Sequence, residues 1–157
     1  RAEKIAFSPA YVEIEATYLV PAGSPFGAIE EIDREGVRIA ISARSAYDLY
    51  LTRHLKHAEL VRAKGLAAAR ELFVAEKLDV LAGLRPALMS DVEDMPGARV
   101  LDGRFTAVQQ AIGTAKENKA AIAFLRDFVE EMKANGMVGN FIARHEVEGR
   151  LLVAPPA

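Results

Sequence analysis

The feature that most constrains this chain is an alternation. Between residues 12 and 101, short apolar runs of strand length take turns with stretches of helical period. Val12 to Pro21 (VEIEATYLVP) is rich in β-branched and aromatic residues and reads as a strand, closed by the Pro21-Ala22-Gly23-Ser24-Pro25 turn. Ser24 and Pro25 then predict a short helix to about Asp33, with proline at its first position. Val37-Arg38-Ile39-Ala40-Ile41 is a short apolar run, consistent with a buried parallel strand. A helix follows from Ser45 to about Lys56, with Ala46, Leu49 and Tyr50 expected on its apolar face. The pattern repeats with a strand at Glu59–Arg62 and a helix at Leu66–Lys77, which turns Ala69, Leu72 and Phe73 inward. A strand at Leu78–Ala82, a helix at Arg85–Val92 and strands at Ala98–Leu101 and Thr106–Gly113 complete it. Strands alternating with helices predict an α/β fold with a central, mostly parallel sheet and crossover helices.

The C-terminal part has another character. Glu117 to Asn135 reads as a long helix whose Ala121, Phe124, Leu125, Phe128 and Met132 form a wide apolar stripe. Gly136 ends it, and Val138 to about His145 forms a second helix. The tail Leu151–Ala157 reads as extended or mobile.

Composition excludes several classes of function. Of 157 residues, 51% are apolar and 27% charged, a globular balance rather than a disordered one. Twenty basic residues against 22 acidic ones leave a net charge of −2, so there is no basic excess to bind nucleic acid. No apolar run reaches the ~20 residues of a membrane span. The absence of cysteine rules out disulfides, zinc thiolates and a cysteine nucleophile.

Most residues able to do chemistry have a plain reading. His54 and His57 lie three apart, a spacing that can hold a metal, but Arg53 and Lys56 make that patch cationic and no third ligand is near. They read as a solvated helix end near a favourable dipole, and no metal or cofactor is expected. There is no phosphate-binding glycine loop and no G-x-S-x-G elbow. One segment stands out. Ile39-Ala40-Ile41-Ser42-Ala43-Arg44-Ser45-Ala46 runs from a buried strand through a tight loop into a helix start. Unpaired N–H groups and partial positive charge at such a start suit an anion, and Arg44 adds a cationic donor. The plain alternative is that Ser45 only caps the helix. Of Tyr47 and Tyr50, one is expected in the core and the other at the edge of a cleft.

The order of segments resembles solute-binding family 3, the polar amino-acid-binding receptors of ABC transporters, with the type 2 periplasmic-binding fold. Arg1-x5-Phe7-Ser8-Pro9-x-Tyr11 is similar to that family's R-x5-F-S-x-P/G-Y signature. Gly36 to Ala46 is similar to its G-K-x-V-x-V-x-x-G-S/T ligand loop, and Leu78 to Pro86 to its x-D-A-V-x-x-D-x-P strand. Gln110 to Lys116 and the last two helices follow in the family's order.

The resemblance implies two lobes joined by two crossing strands, closing on a ligand between them. It implies the end of lobe 1 and a first hinge in residues 1–12, lobe 2 in 13–105, a return strand in 106–116, and helices and tail that pack on lobe 1 in 117–157. The chain begins at Arg1 without an initiator methionine, so it reads as the C-terminal portion of such a receptor. The exposed stripe of residues 117–145 then predicts a dimer or swapped arrangement.

Carried over residue by residue, the family's carboxylate-binding arginine is Arg1. Its helix-start amides belong to Ser45 and Ala46, and Ser42 stands where a residue contacts the ligand's side chain. Gly83, Leu84 and Arg85 occupy the second ligand loop. Two departures matter. Arg44 replaces the usual loop glycine, and Leu84 replaces the aspartate that pairs with a ligand ammonium. Losing that carboxylate removes a charge-assisted bond of ~1.5–3 kcal/mol from a zwitterionic amino acid. With Arg44 and Arg85 present, the expected solute is a small organic anion, or an amino acid held in another way. For both arginines the plain reading is a surface pairing with a nearby acid. The resemblance thus implies a non-enzymatic periplasmic receptor that captures a small polar or anionic solute and presents it to an ABC permease. Two alternatives share the fold: a ligand-binding sensor domain of a signalling protein, and a periplasmic enzyme of cyclohexadienyl dehydratase type.

Overall fold

A computed structural model describes residues 3–157. The strands are β1 (Ile5–Phe7), β2 (Val12–Val20), β3 (Arg38–Ser42), β4 (Glu59–Ala63), β5 (Val80–Leu84), β6 (Arg99–Val100), β7 (Thr106–Gln110), β8 (Gly113–Ala115) and β9 (Leu152–Val153). The helices are α1 (Ala46–His54), α2 (Leu66–Ala75), α3 (Arg85–Glu93), α4 (Lys119–Ala134) and α5 (Met137–Arg144). The chain divides into two units: Glu15–Val108, and the residues up to Ile14 together with Gln109–Ala157.

In the Glu15–Val108 unit the strands lie in the order β4-β3-β5-β2-β6. The apolar run of β3 sits between β4 and β5 and pairs parallel with both. β2 runs antiparallel to β5 and β6, whereas β4, β3 and β5 pair in parallel. Alternate residues of each strand enter opposite layers, as period-2 geometry requires. Tyr18, Ile39, Ile41 and Val80 pack with Tyr47 and Leu51 of α1. Leu19, Ala40 and Leu81 pack with Ala69 and Phe73 of α2 and Leu88 of α3. Asp79 joins the starts of two strands: its carboxylate accepts from the Arg38 N–H at 2.8 Å, and its own N–H donates to the Arg38 carbonyl.

Two local expectations are corrected here. The helix expected from Pro25 to Asp33 is only a 3-10 turn at Ile29–Glu31. The Glu31 carboxylate reaches back to the N–H groups of Gly27 and Ala28 at 2.6 and 3.1 Å, which closes the turn on itself. Asp33 then accepts from the N–H groups of Lys56, His57 and Ala58, holding the chain where a longer helix would continue. The apolar face of α1 is also shifted. Tyr47 and Leu51 are buried, whereas Ala46 and Leu49 face water. The (i, i+4) pair Tyr47/Leu51 carries the packing, because Asp48 is buried at the helix start by polar partners described below.

The second unit is built differently. β1 and β8 form a two-stranded antiparallel ribbon, with Ile5 opposite Ala115 and Phe7 opposite Gly113. The expected strand to Gly113 therefore breaks after Gln110, where the Ile112 N–H turns to the Ser8 hydroxyl. Asn118 caps α4 by accepting from the Ala121 N–H at 3.0 Å, and Gly136 takes the left-handed conformation between α4 and α5. The tail is extended and anchored. β9 pairs with Val12 and Glu13, Ala154 is buried, and Lys133 Nζ donates to the Pro155 carbonyl at 2.8 Å. Among the described residues, no helix is long and apolar enough to cross a membrane.

Candidate functional site

The carboxyl ends of β3 and β5 meet at one edge of the sheet. The parallel register of Ile39 with Val80 and Ala40 with Leu81 carries Ser42 to the level of Gly83. Two sequence-predicted clusters, Ser42-Arg44-Ser45-Ala46 and Gly83-Leu84-Arg85, are thereby brought side by side. Ligands of open α/β sheets bind at such strand ends. Arg1 lies outside the described residues.

The loop after β3 is held from below by Asp48, which is only 4% exposed. Its Oδ2 accepts from the Arg44 N–H at 2.8 Å, and its Oδ1 accepts from Arg62 Nε at 3.0 Å. Arg62 also donates to the Thr52 hydroxyl, which in turn donates to the Asp48 carbonyl. Ser45 caps α1 by accepting from the Asp48 N–H at 3.0 Å. Ser45 and Asp48 thus bond each other's turn reciprocally, a variant of the capping box. The loop itself is tight: the Ser45 N–H donates to the Ser42 carbonyl, and Arg44 has φ +62°. That is left-handed backbone, usual for glycine and costly for other residues.

The two arginines differ sharply. Arg44 is exposed, and its guanidinium makes no hydrogen bond or ion pair among the described residues. Arg85 has its side chain only 15% exposed and donates from Nε to Glu15 Oε2 at 2.7 Å. Its remaining nitrogens donate to the carbonyls of Leu101 and Gly103. The neighbouring Glu15 offsets what would otherwise be a cation at the positive end of α3. Leu84 packs on the apolar layer and brings no charge. Gly83 leaves room for Leu88, whose side chain would meet an added Cβ at 3.0 Å.

Tyr47 is the core tyrosine, 3% exposed, and Tyr50 is half-buried with its ring stacked on His54 at 3.9 Å. Burial pushes the Tyr47 phenol up from its ordinary range, opposed by the neighbouring Ser45 and Ser42 hydroxyls and reinforced by the Asp48 charge. His54 Nδ1 lies 2.7 Å from the Tyr50 carbonyl, which can only accept, so that nitrogen carries the proton. Among the described residues no group of three His, Asp or Glu side chains is arranged to hold a metal.

Sequence reasoning missed three participants: Glu15, the Asp48–Arg62–Thr52 support, and the Tyr47 hydroxyl. The Ser45-x-x-Asp48 spacing was a visible signal for the second. Glu15 and Arg85 are far apart in sequence, and nothing in either stretch announces their pairing.

No family model matches the chain, and no curated protein matches it. Solved structures do. A mutant of ArgBP from T. maritima aligns with a TM-score of 0.67 at 19% identity, over 92% of this chain and 62% of that one. The solute receptor for L-cysteine of Neisseria gonorrhoeae aligns at 0.72 and 16% identity, over 98% and 65%. The GluR0 ligand-binding core in complex with L-glutamate aligns at 0.73 and 16% identity, over 90% and 64%. The chain spans less than two thirds of the length of each of these structures. Likeness at this identity speaks for the fold alone: this chain has the type 2 periplasmic-binding architecture, with Glu15–Val108 as one α/β lobe.

Proposed function

We propose that the chain is part of an extracytoplasmic solute receptor serving an ABC importer, and that it captures a small organic anion. Ser42, Arg44, Ser45, Ala46, Gly83 and Leu84 form its share of the binding site. Arg85, already held by Glu15, shapes the second loop rather than offering a free charge. Arg1 is the carboxylate-binding arginine that the resemblance implies. Closure of two lobes on the solute selects a closed population, which a membrane permease then recognises. The setting is the periplasm.

The observation that carries this reading is the loop after β3. It presents the N-terminus of α1, two hydroxyls and one uncommitted guanidinium at a single strand end. Position 84 carries leucine, so no acid there meets a ligand ammonium. A receptor for a carboxylate without a basic nitrogen fits both facts. An enzyme on the same fold would need a general acid at this edge, and Glu15 is tied to Arg85. The exposed aromatic face of α4 supports a second contact, self-association through residues 117–145.

The test is a thermal-shift screen of the full-length protein against amino acids, organic acids and aromatic carboxylates. A ligand bound only by the folded state raises the melting temperature. An upward shift with an anionic solute and no turnover is expected. Tight binding of lysine would sink the anion reading, and no shift across the panel would sink the receptor.

A further inference from the structure

We infer that Tyr47 is a positioning residue of this anion site: its hydroxyl, buried under the loop after β3, donates to Ser42 Oγ and so directs the Ser42 O–H at the bound carboxylate. The inference rests on the receptor reading.

Among the described residues, the Tyr47 hydroxyl is the buried side-chain polar atom without a hydrogen-bond partner. Leaving such a group unpaired is destabilising, and a phenylalanine would fill the same core space without that cost. The hydroxyl therefore calls for a role. Its polar neighbours are the Ser42 and Ser45 hydroxyls. Ser45 already accepts the Asp48 N–H as a helix cap, which spends one of its lone pairs. The Ser42 hydroxyl has no such commitment, and Ser42 is itself 8% exposed at the strand end.

Each hydroxyl has one proton to give and two lone pairs to accept with. An anion accepts only. When a carboxylate docks at the α1 N-terminus, a serine facing it must turn its proton outward. Its oxygen is then free to accept from behind, and the buried Tyr47 O–H is its neighbour there.

The experiment compares Tyr47→Phe, Ser42→Ala and the double variant of the full-length protein with wild type. Acetate, lactate, succinate and benzoate serve as probes, and the one that shifts the wild-type melt most is titrated by calorimetry. Ligand-free Y47F should melt at or above the wild-type temperature, because it loses an unpaired buried hydroxyl. Y47F should bind the probe about 3- to 10-fold more weakly, the loss expected of one hydrogen bond. In the S42A background the same change should cost nothing further. Additive losses, unchanged affinity in Y47F, or a ligand-free melt lowered by several degrees would each overturn the role of Tyr47 and leave the receptor standing. A wild type that none of the four carboxylates shifts would overturn both.

Discussion

The two units bury their apolar residues very differently. Glu15–Val108 has both faces of its sheet covered, and the buried clusters on either side draw entirely on that unit. In the other unit the buried apolar residues among those described are Val12, Val129, Ile142 and Ala154, while Phe7, Phe124, Phe128 and Phe141 are exposed. Phe124 and Phe128 stack on each other at 5.7 Å on the outer side of α4. The first unit is thus finished by its own residues. The second carries an amphipathic helix whose apolar stripe these residues leave uncovered. Core deletions should separate the two most clearly. Leu19→Ala, at a fully buried site, should cost about 3 kcal/mol. Leu125→Ala, at a half-buried site on α4, should cost about 1 kcal/mol or less. Urea unfolding measures both, and equal losses would dissolve the distinction.

The next largest effect lies in the polar support of the ligand loop. Asp48 is buried, but its partner Arg62 is well exposed, so solvent weakens the pair. The backbone acceptor role for Arg44 matters more. Asp48→Ala should cost about 2 kcal/mol, chiefly through the unsatisfied N–H of Arg44. Arg62→Ala should cost less than half of that. A reversal of this order would mean that the ion pair, rather than the loop amide, is what Asp48 serves.

Much of the finished unit was legible in the sequence because its signals are local. The run Ile39-Ala40-Ile41 needs no partner to be read as a buried strand, and Ala69, Leu72 and Phe73 declare their helix face by spacing alone. The failures share a cause: a side chain whose role is fixed from elsewhere. The Glu31 carboxylate curls a predicted helix into one turn, and buried Asp48 rotates the face of α1. β2 was visible as a strand, yet its antiparallel course depends on where the chain goes next. At the site, Ser42 to Ala46 could be read as a loop into a helix start. The contrast between free Arg44 and committed Arg85 could not, since the partner Glu15 lies on another strand.

A smaller effect comes from Asp33 and carries a pH signature. Burial works to raise its pKa, but the backbone N–H groups of Ala58, His57 and Lys56 outweigh it, helped by the His57 charge, and the carboxyl sits below its usual range. A depressed folded pKa adds stability above the unfolded value of about 3.9, and that stability is lost as pH falls through the folded value. Asp33→Asn should therefore lose about 1 kcal/mol or less at neutral pH, because solvent screens this accessible carboxylate. It should also flatten the stability profile below about pH 4. A variant with the wild-type acid profile would show that these amides do not set the carboxyl's affinity for its proton.

Arg44→Gly should move stability the other way. Arg44 holds left-handed backbone at φ +62°, and glycine relieves that strain while gaining entropy in the unfolded chain. The two effects nearly offset, leaving a gain of at most about 1 kcal/mol. Anion affinity should fall by at least tenfold, since the uncommitted guanidinium is removed. Glycine that binds as well as arginine would mean that the strain at position 44 serves something other than the solute.

The smallest expected change in stability tests the unfinished unit most directly. Phe124→Ser with Phe128→Ser alters two side chains that are 64% and 40% exposed. Their removal takes little from the fold of the chain itself, so the melt should shift by no more than about 0.5 kcal/mol per site. Association is another matter. A pair of stacked aromatic rings on an amphipathic helix presents apolar surface that water disfavours, and a second apolar face removes it. Sedimentation of this chain should show a mass that rises with concentration, and the double serine variant should remain a monomer over the same range. A concentration-independent monomer for the unaltered chain would refute the self-association reading, and with it the view that the α4 stripe is a surface awaiting a partner.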